Sequence, residues 1–440
     1  MKDTPYSDME IPESLSYPKK IAIDRIVARP IAILLNMLIL PLGFILRRSH
    51  DESPEKIKTV TVVKLVGMGS ILRAFPMIEA LRKRFPEARF ILITTKPLSI
   101  LAERVPQFDE VLYIRDDSLI HLCIDSALLV FKMWQRRIDL YFNLEIYSEY
   151  ASIIAALSFA RNRYGFYLDS TLFKHGIYTH LVYFNNSRTI DEIYCKLAES
   201  AGAATDLATV TNIPIINEND GIELRKYLLS INFSPDEPYI IINPNATDLR
   251  IERRWPLEYF SSLIDALVLG HGCRIFLVGS RAELHVSEKV LERTSSNTRR
   301  YATNISGRVS FGATLELIRN TRLMITNDSG LLHIARSLHV PIVSLWGPGT
   351  PAHYGGQSEK NHRIFYNADI YCSPCIYKTD VPPCRGNNVC MKSISPSDVY
   401  TEICKTYEFA ESEEIRNSLH ATYKNFYDPD IDITVRRLSN

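Results

Sequence analysis

The sequence has almost no net charge. Its 51 lysine and arginine residues are balanced by 50 aspartate and glutamate residues, which gives a formal charge of +1 at pH 7. Proteins that capture nucleic acid electrostatically carry an excess of basic charge, so this composition argues against that class. Cysteine is also scarce, with eight in 440 residues, so a disulfide framework is not the basis of the fold. The 46% hydrophobic and 23% charged fractions are typical of globular cores rather than disorder.

The first glycine turn lacks the residues of the best-known nucleotide-binding loops. It reads KLVGMGSILRAFP over residues 64–76, directly after a β-type run. A dinucleotide fingerprint requires glycine or alanine three residues after Gly69, where this sequence has Leu72. No GK[ST] ending follows, so a P-loop is excluded as well. The sequence therefore gives little support to a nicotinamide-dependent oxidoreductase.

The longest uncharged run lies near the N-terminus. Residues 30–46, PIAILLNMLILPLGFIL, carry no charge and lie between Arg29 and Arg47. About 20 apolar residues are needed to cross a bilayer, so this run is at the short end. No small-residue cleavage site follows it, which argues against a cleaved signal peptide. The polar residues 50–58 predict a linker that leaves the segment detached from the first strand, which argues against the alternative of a buried core helix.

Basic residues flank this run on both sides, so the positive-inside rule assigns no single orientation. They are Lys19, Lys20, Arg25 and Arg29 before the run, and Arg47 and Arg48 after it. This distribution suits a helix that enters the membrane and returns to the same face, with Pro41 breaking it in the middle. The sequence predicts membrane attachment, either by this monotopic arrangement or by a single span.

From residue 59 onward, strand and helix patterns alternate. The β-branched strand Val60–Val66 precedes a predicted helix over Ile71–Arg84, and a second series of the same kind begins near residue 237. This alternation predicts the α/β class, with two Rossmann-like domains facing each other across a cleft. The predicted organisation is a membrane-anchoring segment and linker (1–55), an N-terminal acceptor domain (56–225), a C-terminal nucleotide-sugar donor domain (226–400) and a helical tail (401–440).

The stretch TNDSGLLHIARSLHVPIVSLWGPGTP, residues 326–351, is the most informative. Asp328 and Ser329 follow a strand, and Gly330 begins a helix whose free N–H groups form an anion site suited to a diphosphate. Asp328 is predicted to cap this helix, and His333 lies one turn into it. The alternative is that Asp-Ser-Gly is a simple N-cap and His333 an ordinary packed histidine.

Several blocks together resemble glycosyltransferase family 9, which includes the ADP-heptose:lipopolysaccharide heptosyltransferases. The matching blocks, between about residues 59 and 400, are VVKLVGMGSILRAFPMIEALRKRFPEARF, INPNATDLRIERRWPLEYF, NISGRVSFGATLELI, TNDSGLLHIARSLHVPIVSLWGP and CSPC…C…CM. The resemblance implies the GT-B fold. It also implies transfer of a sugar from a nucleotide diphosphate with inversion at the anomeric carbon.

The resemblance carries roles to particular residues. Those that match the family's donor motif are Asp328, Ser329, Gly330 and His333. Arg253 matches a basic position that pairs with donor phosphates, and an arginine can clamp a phosphate with two hydrogen bonds. Thr247 matches a hydroxyl residue that contacts phosphate, and Glu283 a position that contacts the ribose. For these three residues, simple surface placement is the alternative. Gly69 is expected to let the sugars approach the backbone closely.

The expected catalytic base is absent. In the family, an aspartate follows the glycine of the first loop, and this sequence has Ser70 there. A hydroxyl without a partner accepts a proton poorly near neutral pH. Either another carboxylate serves, with Glu145 and Glu149 the best placed, or the acceptor is acidic or the donor phosphate takes the proton. The third account is that catalysis is lost and only ligand binding remains.

Four cysteines form the pattern C-x2-C-x8-C-x5-C. They are Cys372, Cys375, Cys384 and Cys390. The spacing permits a structural zinc site, and reduced or disulfide-linked loop cysteines are the alternative. Similar cysteines occur in the family without a metal being needed for transfer, and no DxD pair lies near the diphosphate motif. No cofactor is therefore expected to be required.

The leading hypothesis is a membrane-associated, inverting glycosyltransferase on the cytoplasmic face of the inner membrane. Its partners would be a nucleotide-diphospho-sugar, a lipid-linked or lipopolysaccharide-type glycan acceptor and the membrane, and not nucleic acid. One alternative is a catalytically silent GT-B protein that binds a nucleotide sugar or scaffolds a glycan-assembly complex. A sugar-nucleotide epimerase fits the fold but not the order of the motifs.

Overall fold

The computed structural model describes residues 22–46, 50–207, 214–246, 248–355, 361–376, 379, 382–384, 386–407 and 412–427. The chain divides into two units, residues 1–211 (unit 1) and 212–440 (unit 2). The division lies before the predicted boundary at 225/226. Residues 218–230 form a helix that packs against another helix of unit 2, so they belong to unit 2.

Unit 1 is built on a six-stranded parallel sheet. Its strands are β1 (Thr59–Val63), β2 (Arg89–Thr95), β3 (Glu110–Ile114), β4 (Leu140–Asn143), β5 (Asn162–Tyr167) and β6 (His180–Tyr183). They lie in the order β3-β2-β1-β4-β5-β6, and Val60 is in register with Phe90 on one side and Leu140 on the other. This is the strand order of a Rossmann sheet. All five residues of β1 are buried, as expected for a parallel strand covered on both faces.

The helices of unit 1 cover this sheet. They are α1 (Arg29–Leu46), α2 (Met68–Arg73), α3 (Phe75–Arg84), α4 (Ser99–Ala102), α5 (Leu119–Arg136), α6 (Glu149–Leu157) and α7 (Ile190–Ser200). A π-helical turn, Asp24–Ala28, leads into α1, and a 3-10 segment, Asp169–Ile177, connects β5 and β6. Shorter 3-10 turns occupy Pro54–Lys56 and Lys96–Leu98.

Unit 2 repeats the same sheet topology. Its strands are β7 (Tyr239–Asn243), β8 (Arg274–Leu277), β9 (Ala302–Asn304), β10 (Leu323–Asn327), β11 (Ile342–Trp346) and β12 (His362–Tyr366). Their order is β12-β11-β10-β7-β8-β9, again with every pair parallel. The predicted pair of Rossmann-like sheets is therefore confirmed.

The helices of unit 2 follow the strands in alternation and then close the chain. They are α8 (Glu218–Ser230), α9 (Leu257–His271), α10 (Leu284–Arg293), α11 (Ser296–Arg299), α12 (Phe311–Arg319), α13 (Gly330–Ser337), α14 (Pro351–Tyr354), α15 (Val389–Lys392), α16 (Pro396–Thr406) and α17 (Glu413–Phe426). Two 3-10 turns lie at Asp248–Arg253 and Arg281–Glu283. The tail helices α16 and α17 pack on α9, where Tyr400 and Leu419 join the core of unit 2.

The helix after the first glycine turn is divided. The sequence predicted one helix over 71–84, and the structure has α2 and α3 with a break at Ala74. Pro76 in the first turn of α3 explains the break, because proline has no N–H to donate and its ring clashes with the carbonyl four residues earlier. Gly67 is the N-cap of α2 with φ at 91°, a conformation that favours glycine.

The N-terminal helix is docked on unit 1. Ala28 and Ala32 are buried in the core beneath it, and the Arg29 guanidinium lies 4.4 Å from the centre of the Phe173 ring. The residues that follow α1 are also packed: His50 Nδ1 lies 2.6 Å from Asn162 Oδ1. The expectation of a detached segment is therefore wrong.

The expected break at Pro41 is also wrong, because α1 runs through this residue to Leu46. Asp24 ties the start of the segment to α6. Its two carboxylate oxygens accept the backbone N–H groups of Glu149 (2.9 Å) and Tyr150 (2.8 Å). These donors belong to the first turn of α6 and have no partner within that helix, so Asp24 acts as a capping residue from a distant part of the chain.

Asp24→Ala is expected to lower the free energy of unfolding by about 1 kcal/mol, the usual cost of a lost N-cap. It should also loosen the docking of α1. Amide hydrogen exchange of peptides covering 22–46 and 149–157 measures this directly, and both should exchange faster in the variant. Asp24→Asn keeps one acceptor oxygen and should give an intermediate effect. Unchanged exchange in Asp24→Ala would show that apolar packing alone holds the helix.

Candidate active site

The centre of the sheet in unit 2 is its topological switch point. β7 and β10 are neighbours, and the chain leaves them toward opposite edges of the sheet. In sheets of this kind, ligands bind at the carboxyl ends of the two strands that diverge in this way. The residues at these ends are Asn243 on β7 and Asn327 on β10, followed by Asp328 and Ser329. The motif singled out in the sequence therefore lies at this switch point.

Two buried asparagines hold the loops at this point. The Asn243 Nδ2 donates to Thr326 Oγ1 at 3.0 Å and to Ser329 Oγ at 2.9 Å. Asn327 Nδ2 donates to the carbonyl of Pro244 at 3.0 Å, and its Oδ1 accepts the Trp255 N–H at 3.1 Å. Neither asparagine was among the site residues predicted from the sequence motifs. Their position at the last residue of a predicted strand is the signal that could have identified them.

The N-terminus of α13 has no side-chain cap. Its N-cap is Ser329, not Asp328 as the sequence analysis expected, and the Ser329 side chain makes no capping hydrogen bond. The reason is that its Oγ accepts a hydrogen bond from Asn243 Nδ2 and lies 3.2 Å from Thr326 Oγ1. The first N–H groups of a helix carry partial positive charge. Because α13 begins at Gly330 without a side-chain cap, its first N–H groups are available to bind an anion.

Asp328 forms an ion pair with Arg253. The Arg253 Nε lies 3.3 Å from Asp328 Oδ2, and the side chains are 25% and 7% exposed, respectively. Burial raises the pKa of Asp328 above its usual value, and the charge of Arg253 opposes that rise. The structure brings these two predicted site residues together beside the start of α13.

His333 is the fourth residue of α13 and is buried. Its ring lies 6.1 Å from that of Tyr354, in an edge-to-face arrangement. Side chains in an α-helix lean toward its N-terminus, so His333 is directed toward the end that carries Ser329.

The loop after β8 supplies Glu283. Its Oε2 accepts hydrogen bonds from Ser280 N (2.9 Å) and Ser280 Oγ (2.8 Å), which closes a capping box around the 3-10 turn. This contact orients the carboxylate at the strand next to β7. In the same loop a Cβ at Gly279 would lie 2.4 Å from Asn245 Nδ2, so a side chain does not fit there. Thr247 lies outside the described residues.

Asn245 leaves one buried acceptor without a partner in the described part of the chain. Its Nδ2 donates to the Val278 carbonyl at 3.0 Å, while its Oδ1 accepts no hydrogen bond. The residue is 2% exposed. A buried acceptor of this kind is uncommon. It lies in the loop after β7, next to the network that holds Ser329.

Unit 1 has its own switch point, between β1 and β4. Gly69 and Ser70 lie in the first turns of α2, and both are buried. Ser70 N donates to the Gly67 carbonyl at 3.0 Å, and a Cβ at Gly67 would lie 3.1 Å from Ser70 Oγ. The serine therefore packs closely under the glycine turn.

Glu145 follows β4 and binds the loop that follows β1. Its Oε1 lies 2.9 Å from Lys64 Nζ and accepts the N–H groups of Leu65 (2.8 Å) and Val66 (3.0 Å). Glu145 therefore lies at the carboxyl ends of the two strands, beside the loop that leads to Ser70.

Glu149 has a different environment. It is the first residue of α6 and is buried, and its Oε2 accepts a hydrogen bond from Lys174 Nζ at 2.8 Å. Lys174 is itself 1% exposed and also donates to the Ile146 carbonyl at 2.8 Å. This is a buried ion pair that joins α6 to the 3-10 segment, which suits a structural role.

The four clustered cysteines form no ready metal site. No group of three or more histidine, cysteine, aspartate or glutamate residues among the described residues could hold a metal ion. Burial and neighbouring cysteines raise the pKa of Cys390 to about 12, so this thiol stays protonated near neutral pH. Like Cys390, the described residues Cys372, Cys375 and Cys384 form no disulfide.

The model of glycosyltransferase family 9 (heptosyltransferase) matches residues 156–384. Lipooligosaccharide heptosyltransferase 2 of Haemophilus influenzae is 28% identical over 137 residues, which are 31% of this chain and 39% of that protein. Lipopolysaccharide heptosyltransferase 2 of Salmonella typhimurium is 29% identical over 180 residues, which are 38% of this chain and 50% of that protein. The matched segments thus span half or less of the length of these relatives.

Solved structures share the fold over most of the chain. The Escherichia coli ADP-heptose lipopolysaccharide heptosyltransferase II gives a TM-score of 0.62 at 18% identity and covers 80% of this chain and 98% of that one. A family 9 glycosyltransferase from Veillonella parvula gives 0.62 at 20% identity, with 84% and 97% coverage. At such identities the likeness shows the fold alone.

Arg253→Gln is expected to lower the free energy of unfolding by about 2 kcal/mol near pH 7.5. This is less than the cost of breaking a fully buried pair, because the Arg253 side chain is a quarter exposed. Burial raises the pKa of Asp328, so the ionised form costs stability as the pH rises through that pKa. Loss of Arg253 removes the opposing charge, so the variant should lose more unfolding free energy near pH 7.5 than near pH 5. Urea unfolding of both proteins at the two pH values measures this difference.

The double variant Arg253→Gln/Asp328→Asn should recover most of the loss, because it no longer buries an uncompensated charge. Arg225→Gln, at an exposed position of α8, serves as the matched control. An equal deficit at both pH values would mean that Asp328 does not change its ionisation between them, and that the expected pH dependence is wrong.

Proposed function

The chain belongs to glycosyltransferase family 9, and from this premise we propose that it transfers a sugar from a nucleotide-diphospho-sugar to a lipopolysaccharide-type or other lipid-linked glycan. The observation that carries the proposal is the start of α13, which has no side-chain cap and lies beside the Arg253–Asp328 pair at the switch point of unit 2. Such a site combines helix N–H groups and a guanidinium, which are the groups that bind phosphate best.

The donor diphosphate is proposed to bind at Ser329 and Gly330. Backbone N–H groups of α13 would donate to its oxygens, and Arg253 would neutralise its charge. Asp328 keeps Arg253 in place before the donor binds, since the two side chains are already paired. Glu283, held by Ser280 at the end of the neighbouring strand, is the proposed partner of the ribose hydroxyls. The curated relatives are named heptosyltransferases, which supports a heptose as the transferred sugar.

The transfer step is proposed to invert the anomeric carbon. The acceptor hydroxyl attacks this carbon from the face opposite the diphosphate, a new C–O bond forms, and the nucleoside diphosphate leaves with the electrons of the broken bond. The acceptor's proton must go to a base. We assign this role to Glu145, because it lies at the carboxyl ends of β1 and β4, beside the loop that leads to Ser70, whereas the Glu149 carboxylate is directed at Lys174 of the 3-10 segment. In this proposal Ser70 is not the base.

Membrane attachment is supported by the N-terminal helix. Among the described residues, one helix, Asp24–Gly43, is long and apolar enough to cross a membrane by length and composition. One face of α1 packs on unit 1 through Ala32, while the opposite face exposes Leu34 and Met37, at 57% and 65%. A helix held along a folded unit in this way suits insertion into the membrane surface better than a span. The proposed site of action is the cytoplasmic face of the inner membrane, where a membrane-held acceptor is concentrated near the enzyme.

A specific observation favours a second candidate function. The position of the expected base is Ser70, and both nearby candidate carboxylates are paired with lysines, Glu145 with Lys64 and Glu149 with Lys174. A protein that keeps the donor site and lacks an effective base would bind nucleotide sugar without turnover. It could then serve as a scaffold for other enzymes of glycan assembly.

The test offers a panel of nucleotide sugars, including ADP-heptose, to the detergent-purified full chain together with a membrane lipid extract. Release of nucleoside diphosphate that requires the extract is the expected result. It should fall by at least about 100-fold in Asp328→Asn, because that variant disturbs the proposed diphosphate site. Donor binding by calorimetry without any release would instead identify the silent protein. Absence of both would contradict either proposal.

Glu145→Gln is expected to lower kcat by about 100-fold or more, the usual contribution of a general base, with little change in donor affinity. Glu149→Gln is the matched control: it should lower the free energy of unfolding and leave kcat of the folded protein nearly unchanged. In the Glu145→Gln background, Ser70→Asp should restore part of kcat, because it supplies a carboxylate after the glycine turn. Ser70→Asn, of similar size and without charge, should not. Full activity of Glu145→Gln would refute the assignment.

A further inference from the structure

The outward face of α5 is apolar along most of its length. Six large apolar side chains on this helix are between 49% and 72% exposed. They are Leu119, Ile120, Ile124, Leu128, Phe131 and Trp134. The other exposed positions between residues 119 and 131 are Cys123 and Ala127, and the first exposed charged residue of the helix is Lys132, next to Phe131. We call these six side chains the α5 face.

The α5 face is not explained by packing within unit 1. The inner side of the same helix supplies Leu129 and Met133 to the core, with Leu122 and Val130 partly buried against it. A helix on the surface of a soluble protein normally carries polar residues on its outer side. A helix that is apolar on both sides, with one side exposed, indicates a second surface that covers it.

The α5 face belongs to the same helical layer as α1. Tyr150 of α6 connects the two: its N–H donates to Asp24 at 2.8 Å, and its hydroxyl lies 2.7 Å from Ser126 Oγ of α5. Ala32 of α1 and Met133 of α5 also contribute to one core beneath this layer. Both helices therefore cover the same face of the sheet, and their exposed apolar sides point away from it.

The C-terminal end of α5 has the composition of a membrane interface. Trp134 donates its indole N–H to the Leu157 carbonyl at 2.7 Å, and its ring lies 5.7 Å from Phe159. Arg137 and Arg161 line the same hollow as these two rings, together with Asp139, which lies 3.5 Å from Arg161 and leaves an excess of one positive charge. Tryptophan is enriched where a bilayer meets water, and each arginine near an anionic lipid surface contributes about 1 kcal/mol of attraction.

We propose that the α5 face rests on an anionic phospholipid bilayer together with the exposed side of α1. This contact rests on the proposed function in one respect, because it assumes that the glycan acceptor is held in a membrane. Continuity with α1 selects a bilayer as the occupant, because α1 is the described helix that is apolar enough to enter one. The basic and aromatic side chains at the end of α5 supply the matching charge. Two helices then fix how unit 1 faces the lipid, which a single helix does not.

Tryptophan fluorescence tests this contact in the unaltered chain. The sequence has three tryptophans, and Trp255 and Trp346 are fully buried in unit 2, so Trp134 is the exposed one. The full chain is mixed with vesicles of phosphatidylcholine and phosphatidylglycerol, with or without bromine on the acyl chains. Brominated vesicles should quench the emission, and Trp134→Phe should remove most of that quenching. Vesicle binding without quenching would overturn the proposal, since α1 alone would then enter the lipid.

A charge-insertion variant gives a second, independent measurement. Leu128→Glu/Phe131→Glu should lower the vesicle partition coefficient by about tenfold or more, because carboxylates resist transfer into an anionic, apolar surface. Ile222→Glu/Leu229→Glu is the matched control, since it adds the same charges at two exposed apolar positions of α8 in unit 2. An equal loss of binding in both variants would refute the α5 face as the contact.

Sedimentation and turnover measurements separate the bilayer contact from a protein dimer and from the proposed function. If sedimentation shows a dimer that only the α5 variant dissociates, and Trp134 is not quenched, the face binds a second copy and the proposal fails. Nucleotide-sugar turnover is measured on the same samples. Quenching without turnover would refute the proposed function and leave the bilayer contact standing, whereas turnover without quenching would do the reverse.

Discussion

The proposed donor site of this protein depends on one hydrogen-bonding group, the side-chain amide of Asn243. It holds Thr326 and Ser329 at 3.0 and 2.9 Å, across the gap between the two central strands of unit 2. Because Ser329 is engaged there, it does not cap α13, and the positive end of this helix stays available. A serine in the usual capping role would have closed the same position. An internal polar contact therefore prepares the proposed anion site before any ligand arrives.

The two units contain the same asparagine turn, and the turn has a different proposed role in each unit. In unit 1, Asn143 at the end of β4 accepts a hydrogen bond from the backbone N–H of Glu145 at 3.0 Å. In unit 2, Asn243 at the end of β7 accepts one from the backbone N–H of Asn245 at 3.2 Å. In unit 2 this turn leads to a buried acceptor on Asn245 and the start of α13. In unit 1 it presents Glu145, which pairs with Lys64. The same geometry thus supports a proposed anion site in one unit and a proposed proton acceptor in the other.

The N-terminal segment is part of the architecture of unit 1. Asp24 completes the hydrogen bonds of α6, and Ala32 is fully buried. Among the side chains that the structure describes, Ala28 and Ala32 are the buried ones of this segment, Leu35 and Ile39 pack partly against the same core, and Leu34 and Met37 remain outside. Attachment to the sheet and the proposed contact with lipid therefore involve two different sides of one helix. The α5 face extends the second of these surfaces without any change in the first.

Local features of the sequence were enough to predict the α/β class, the pair of parallel sheets and the helix that starts at Gly330. The alternation of strands and helices, the glycine turns and the strand-to-helix junctions all depend on residues that are neighbours in the chain. The apolar N-terminal helix was predictable for the same reason. Three further features involve residues far apart in the chain: the pairing of Arg253 with Asp328, the docking of α1 through Asp24, and the contact between Glu145 and Lys64. The outward side of α5 belongs with them, since a helix that is rich in apolar residues on more than one side does not reveal which side the core will cover. The tertiary structure decided all four, because the order of strands in the sheet determines which distant side chains meet and which surfaces stay exposed.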